Sequence, residues 1–189
     1  MKFAAWSSRA AALTVGLLVA CLWEGPARGA EDEASEDRTI ELPAFTLTAP
    51  EGWTRQEPRS RIVEHEFSAA AAEGDERDGR ITMMHSGGSL EDNVARWRGQ
   101  FTEIDAASPD EPEERTIAGQ KVVVVDITGT FKDSPGPFAP GVDREGYRML
   151  GAILLLEDGT FFVKFTGPQK TVTENEEAFG AMLETLRPK

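Results

Sequence analysis

The sequence predicts an α+β layered sandwich, with an antiparallel sheet of about six or seven strands covered by two helices. Three observations predict it. The apolar runs Val122–Val125 and Tyr147–Leu156 read as central strands buried on both faces. Two segments, one from Leu90 and one ending near Leu186, repeat apolar residues with the helical period. Short charged or glycine-bearing connections imply hairpins, and hairpins imply antiparallel pairing.

Taken in order, Ile40 to Thr48 reads as an edge strand interrupted by Pro43. Ala49-Pro50-Glu51-Gly52 is a turn, and Trp53 follows it as an aromatic anchor. Arg61 to Ala69 alternates, with Val63, His65 and Phe67 on one face and Glu64 and Glu66 on the other. The charged stretch from Glu73 to Gly79 closes a hairpin, and Arg80 to His85 returns as the next strand. That pairing sets His65 beside Met83. Ser89 caps a helix, with Asp92 three residues on, and Leu90, Val94, Trp97 and Phe101 form its buried stripe. A Pro- and acid-rich loop spans 105–114. Gln120 to Thr130 is the first central strand, and Ser134 to Gly141 is a Pro-Gly loop. Tyr147 to Leu156 is the second, and Asp158-Gly159 turns the chain into Phe161 to Phe165. A last helix runs from near Thr171 or Thr173 to Leu186, where Pro188 ends it. The expected order is β-β-β-α-β-β-β-β-α.

The charge balance excludes whole classes of partner. The 189 residues carry 33 acidic and 20 basic side chains, a formal charge of −13. Such a surface repels nucleic-acid phosphates and does not adsorb by charge to anionic lipid. One cysteine excludes a disulfide framework within the chain.

That cysteine lies in an export signal. Lys2 and Arg9 precede an uncharged, mostly apolar stretch from Ala10 to Trp23, the layout of a secretory signal peptide. The domain plan is a signal peptide over 1–20, a disordered acidic linker over 21–38, and a folded domain over 39–188. Leu18-Val19-Ala20-Cys21 resembles a bacterial lipobox, which makes Cys21 a candidate lipidation site. Ordinary cleavage near 27–30 is the alternative. The linker packs Glu31, Asp32, Glu33, Glu36 and Asp37 into seven residues, too charged to bury a core.

The pattern resembles the PsbP-like/Mog-like superfamily. The resemblance rests on Leu47-Thr48-Ala49-Pro50-Glu51-Gly52-Trp53 after the first strand, the mid-chain helix, the antiparallel run and the helix after Thr166-Gly167-Pro168. Three further segments resemble uncharacterised exported proteins common in planctomycete bacteria. They are Gly87-Gly88-Ser89 with Trp97-Arg98-Gly99-Gln100-Phe101, the stretch from Pro135 to Gly141, and the stretch from Tyr147 to Ile153. The resemblance implies an α/β/α sandwich over residues 45–187. Members include extrinsic photosystem subunits and a factor that binds a small GTPase, so it implies no one activity. It carries over no catalytic residue.

Four groups of residues invite a chemical reading. His65 and His85 become diagonal neighbours on one face, within reach of a shared transition metal with a carboxylate as third ligand. The ordinary reading is a pair of hydrogen-bonded histidines among Val63, Phe67, Ile81 and Met83. Ser89 with His85 as base and Asp126 as orienter gives a hydrolytic arrangement. The ordinary reading makes Ser89 a helix cap and pairs Asp126 with Arg148 or Lys164. The acidic turn at 73–78 lacks the ligand spacing of a calcium loop. The Pro-Gly loop is stiffened by Pro135, Pro137 and Pro140, and offers Phe138, Arg144, Tyr147 and Arg148 as partner contacts. Its ordinary reading is a structural crossover with Phe138 packed inward.

The expected function is an exported, non-enzymatic accessory or binding domain of the periplasm or cell envelope. Its partner is an unknown protein or small ligand, with no nucleic acid and no cofactor, and with membrane contact only through a lipid at Cys21. The alternative is an envelope hydrolase or metal-dependent enzyme using His65, His85 and Ser89.

Overall fold

The computed structural model describes residues 38–134, 140–156 and 159–189. Its strands are β1 (Thr39–Glu41), β2 (Phe45–Thr48), β3 (Trp53–Gln56), β4 (His65–Ala69), β5 (Gly79–Ser86), β6 (Phe101–Ile104), β7 (Glu113–Ile117), β8 (Gln120–Asp133), β9 (Val142–Leu156), β10 (Gly159–Pro168) and β11 (Arg187–Pro188). Its helices are α1 (Leu90–Arg98), α2 (Gln169–Glu174) and α3 (Glu176–Glu184).

The strands form two antiparallel sheets. The large one has eight strands in the order β3-β4-β5-β10-β9-β8-β6, with β7 also pairing β8. It is larger than the six or seven strands expected. The additions are short edge strands. β3, β6 and β7 carry polar, exposed residues at most positions, so they lack the alternation that marks a half-buried strand. The long strands β8 and β9 were read from their apolar middles and extend beyond them, because backbone pairing continues where side chains turn polar. β4 opens at His65 rather than Arg61. Its pairing with β5 sets His65 opposite Met83, as the alternation required.

The small sheet has the order β1-β2-β11. Ile40 to Thr48 is therefore a hairpin and not one interrupted strand. Pro43 lies in the connection, where Leu42 N donates to Phe45 O at 2.9 Å. A proline has no amide to lose there. The single C-terminal helix expected is two. Asn175 separates them, its Nδ2 donating to Thr171 O and its Oδ1 accepting from Trp53 Nε1 at 3.1 Å. Residues 187–188 then pair with β2 instead of merely stopping the helix. Thr185 makes that exit, accepting from Thr48 N at 2.8 Å and donating to Met182 O.

Each face of the large sheet has its own core. On one face, Phe67, Ile81, Met83, Leu150, Ala152, Leu154, Phe161, Val163 and Phe165 meet the small sheet and Val172, Phe179, Met182, Leu183 and Leu186. On the other, Val123, Val125, Ile127, Met149, Ile153 and Phe162 meet Trp97 and Phe101. The central strands are thus buried on both sides. Phe101 opens β6, because Gly99 ends α1 two residues earlier.

Candidate functional site

The α1 face is built around one close approach. Ser89 Oγ accepts from Asp92 N at 3.0 Å, and Glu91 and Asp92 lie at the positive end of α1. Trp97 then drops onto Gly151 of β9. A Cβ there would stand 2.2 Å from Trp97 Cζ3, so only glycine admits the indole. Trp97 also meets Phe162 edge-on, with centroids 5.3 Å apart. On the outer side of α1, toward β7, lies an open groove of about 510 Å³. Leu90, Val94 and Val123 form its floor, and Glu91, Glu111 and Glu114 line its rim. That volume falls in the range of small-molecule sites. Arg98 also lines it, but its guanidinium donates to Pro109 O at 3.1 Å. Glu114 pairs with Lys121 at 2.6 Å.

On the other side of α1 the same face turns polar. Glu66 on β4 is 1% exposed and carries a bidentate bond from Arg80 on β5, both contacts at 2.8 Å. Arg59 adds its backbone amide at 3.1 Å and its Nε at 3.2 Å. Burial alone would raise the Glu66 carboxyl, but the bonds from Arg80 and Arg59 outweigh it and hold it below the usual range. Lys164 on β10 stands between Thr82 and Gly151 in the ladder. Its ammonium donates to Gln100 Oε1 and lies 5.3 Å from the centroid of Phe131. Burial, then the charges of Arg80 and Arg96, push it down to about 8. Thr166, two residues on, has a buried hydroxyl with no hydrogen-bond partner.

The residues singled out by sequence are scattered. Cys21 and Phe138 lie outside the described residues. Tyr147 joins the α1 face, stacked on Phe131 at 6.0 Å with planes 2° apart, and burial raises its hydroxyl. Arg144 Nε reaches Asp133 at 3.4 Å. Arg148 points the other way, toward the C-terminal helices, and is 7% exposed. Its fork grips Asp126 at 2.9 and 2.7 Å, and Nη1 donates to Thr173 and Glu176. The Asp126–Arg148 pairing was legible in the sequence, and it takes Asp126 away from His85. The orienting carboxylate of His85 is instead Glu64, 2.9 Å from Nδ1, which leaves Nε2 buried without a partner. His65 Nδ1 faces Arg55 at 3.3 Å, and burial followed by Arg55 lowers its basicity. Ser89 Oγ donates to Asp92 Oδ2 at 2.7 Å while capping α1. Among the described residues, no three His, Cys, Asp or Glu side chains gather as a metal site.

One large antiparallel sheet with helical cover on both faces can be compared with known architectures. The solution structure of cyanobacterial PsbP (CyanoP) from Synechocystis matches with a TM-score of 0.50 at 11% identity, over 80% of this chain and 91% of that one. The chain has a PsbP-like fold. A Pseudomonas aeruginosa protein of unknown function is also similar, with a TM-score of 0.47 at 16% identity, over 80% of this chain and 96% of that one. No family model and no curated protein matches the chain. Within this PsbP-like fold, the groove and the polar half-face flank α1, whereas Arg148 belongs to the sealed side.

Proposed function

We propose that the chain is an exported, non-enzymatic accessory or binding domain of the bacterial cell envelope. The observation that carries the binding part is the groove of about 510 Å³ beside α1, with its apolar floor of Leu90, Val94 and Val123 under an acidic rim. A concave apolar surface with a few placed charges suits holding a ligand. The export part rests on the charged start and apolar run of residues 1–20 and on the resemblance to exported proteins of planctomycete type. In this reading Cys21 carries a lipid after cleavage, and Phe138, Arg144 and Tyr147 add contacts around the loop that joins β8 to β9. Arg148, engaged by Asp126 and Glu176, supports that end from behind.

The test has two parts. Mass spectrometry of the native protein from an envelope fraction is expected to find a new N-terminus at Cys21 or near residues 27–30; an intact Met1 in the cytosolic fraction overturns export. Val94→Asp is expected to abolish ligand or partner capture from envelope extract while the fold persists. Unchanged capture overturns the groove.

A second reading has one specific support. Glu64 holds Nδ1 of His85 and leaves Nε2 without a partner, an arrangement that orients an imidazole as a base or metal ligand. The alternative of an envelope hydrolase or metal-dependent enzyme using His65, His85 and Ser89 rests on that one imidazole, since Ser89 is engaged by Asp92 and His65 by Arg55. Hydrolysis of activated esters that disappears in His85→Ala, or stoichiometric metal in the purified protein, would establish it over the first.

A further inference from the structure

The polar half of the α1 face carries an imbalance of charge. Arg59 and Arg80 share the single carboxylate of Glu66. Lys164 and Arg96 make no ion pair among the described residues. Arg96 is exposed and leans over the Phe162 ring at 5.9 Å, with its donors turned to no acid. Lys164 is recessed between strands, with one donor spent on Gln100 and a ring on another side. A recessed ammonium is ordinarily paired with an acid, because removing it from water costs more than an amide can return. Here the charged groups around it are Arg80 from β5 and Arg96 from α1, with Glu66 on β4 already held by two arginines. Tyr147, stacked behind Phe131, also titrates on this side, with Arg77, Arg144 and Asp133 near it. The buried hydroxyl of Thr166 is directly opposite Arg80 in the ladder and also lacks a partner. In a chain of net charge −13, this is a local reversal of sign. Screening confines the repulsion of distant acids to about 8–10 Å, so the near cations dominate.

We propose that Lys164, Arg96, Arg80 and the Thr166 hydroxyl form a recessed site for a phosphate group. Guanidinium and ammonium donors on one sheet face with a hydroxyl suit a tetrahedral oxyanion, and Arg96 makes no ion pair that would occupy its fork. Lys164 is the floor and Arg96 the rim. The site lies on the opposite flank of α1 from the groove and does not rest on it or on export. It supplies the missing counter-charge, so binding stabilises the protonated amine of Lys164 and raises its affinity for a proton.

The experiment uses the full chain with carbon-13 in the lysine ε-position and inorganic phosphate as the probe. The Lys164 signal is expected to titrate near 8 without phosphate and to move up saturably with it. Chloride at equal ionic strength should leave it in place. Arg96→Ala, an exposed change that spares the fold, is expected to weaken phosphate by about tenfold, and Thr166→Val by less. An equal shift in chloride, or unaltered binding in Arg96→Ala, overturns the site. Vesicles assign the source of the phosphate. Binding to phosphatidic acid in phosphatidylcholine but not to phosphatidylcholine alone, lost in Arg96→Ala, assigns a lipid headgroup. Binding of inorganic phosphate with no vesicle arm assigns a soluble phosphate compound. Failure in both arms, or equal binding to both vesicles, overturns the proposal.

Discussion

The two faces of the large sheet solve the same problem differently. One is closed by a second sheet and two helices over a buried core whose members run from Ile40 to Leu186. Even its buried cation, Arg148, is tied to two carboxylates and a hydroxyl. Among the described residues, the helix that covers the other face is the nine-residue α1. Beside that helix lie a groove on one flank and unbalanced cations on the other. Closure on one side provides the stability, and incomplete cover on the other leaves surface for ligands.

That contrast can be broken most forcefully at the cores. Phe165→Ala on the closed face is expected to cost about 3–5 kcal/mol in urea unfolding. Trp97→Ala falls in the same class but should cost less, because α1 can settle toward the sheet. A Trp97→Ala protein melting within a degree or two of wild type would show that α1 is not docked on Gly151.

Gly151→Ala is the next largest. It drives a methyl into the Trp97 ring and is expected to cost about 1–3 kcal/mol. Amide exchange should speed up in α1 while α3 keeps its protection; equal loss in both would mean that the two cores are not separate units.

Lys164→Met sharpens the comparison by its sign. The folded chain holds this amine down at about 8, against an ordinary lysine value of 10.5. The unfolded chain therefore binds the proton more strongly. Stability is reduced below about pH 8 and rises from there to about 10.5. The methionine variant should melt higher than wild type at pH 7 in chloride buffer and lose that rise. A lower melting temperature would mean that the ammonium is well compensated in the fold.

The smallest effect belongs to the rim. Arg96→Ala is expected to alter stability by no more than about 0.5 kcal/mol, as surface changes usually do. A larger loss would make Arg96 part of the α1 packing.

What could be read from the sequence followed from burial. The β4–β5 register, the burial of Trp97 and both central strands came from apolar periodicity, which is set by which side chains leave water; the Ser89 cap came from its spacing to Asp92, and Phe101, counted in the helix stripe, opens β6. The strands that escaped, β3, β6, β7 and β11, are held by backbone bonds to a neighbour, and most of their side chains face water. The break at Asn175 escaped because its cause, the Trp53 indole, is 122 residues away in sequence. The site was less legible. Lys164 was visible only as a partner for Asp126, yet alternation in Phe161–Phe165 sets it on the face of Phe162, whereas Asp126 shares a face with Val122. A lysine inside a strand otherwise apolar was the available signal. Glu64 as the partner of His85 depended on the end of β4, where the periodicity is weakest.

The pairing of β11 with β2 also governs when the fold can form. The second strand of the domain finds its second neighbour only at Arg187 and Pro188. Thr48 reaches Thr185 across 137 residues of sequence. Contacts of such separation must close a long loop before they return any energy, and they slow folding. A chain emerging from a ribosome can build the β4–β5 hairpin and α1 early. It cannot complete the closed face until Arg187 and Pro188 are free, and until then that apolar surface stays uncovered.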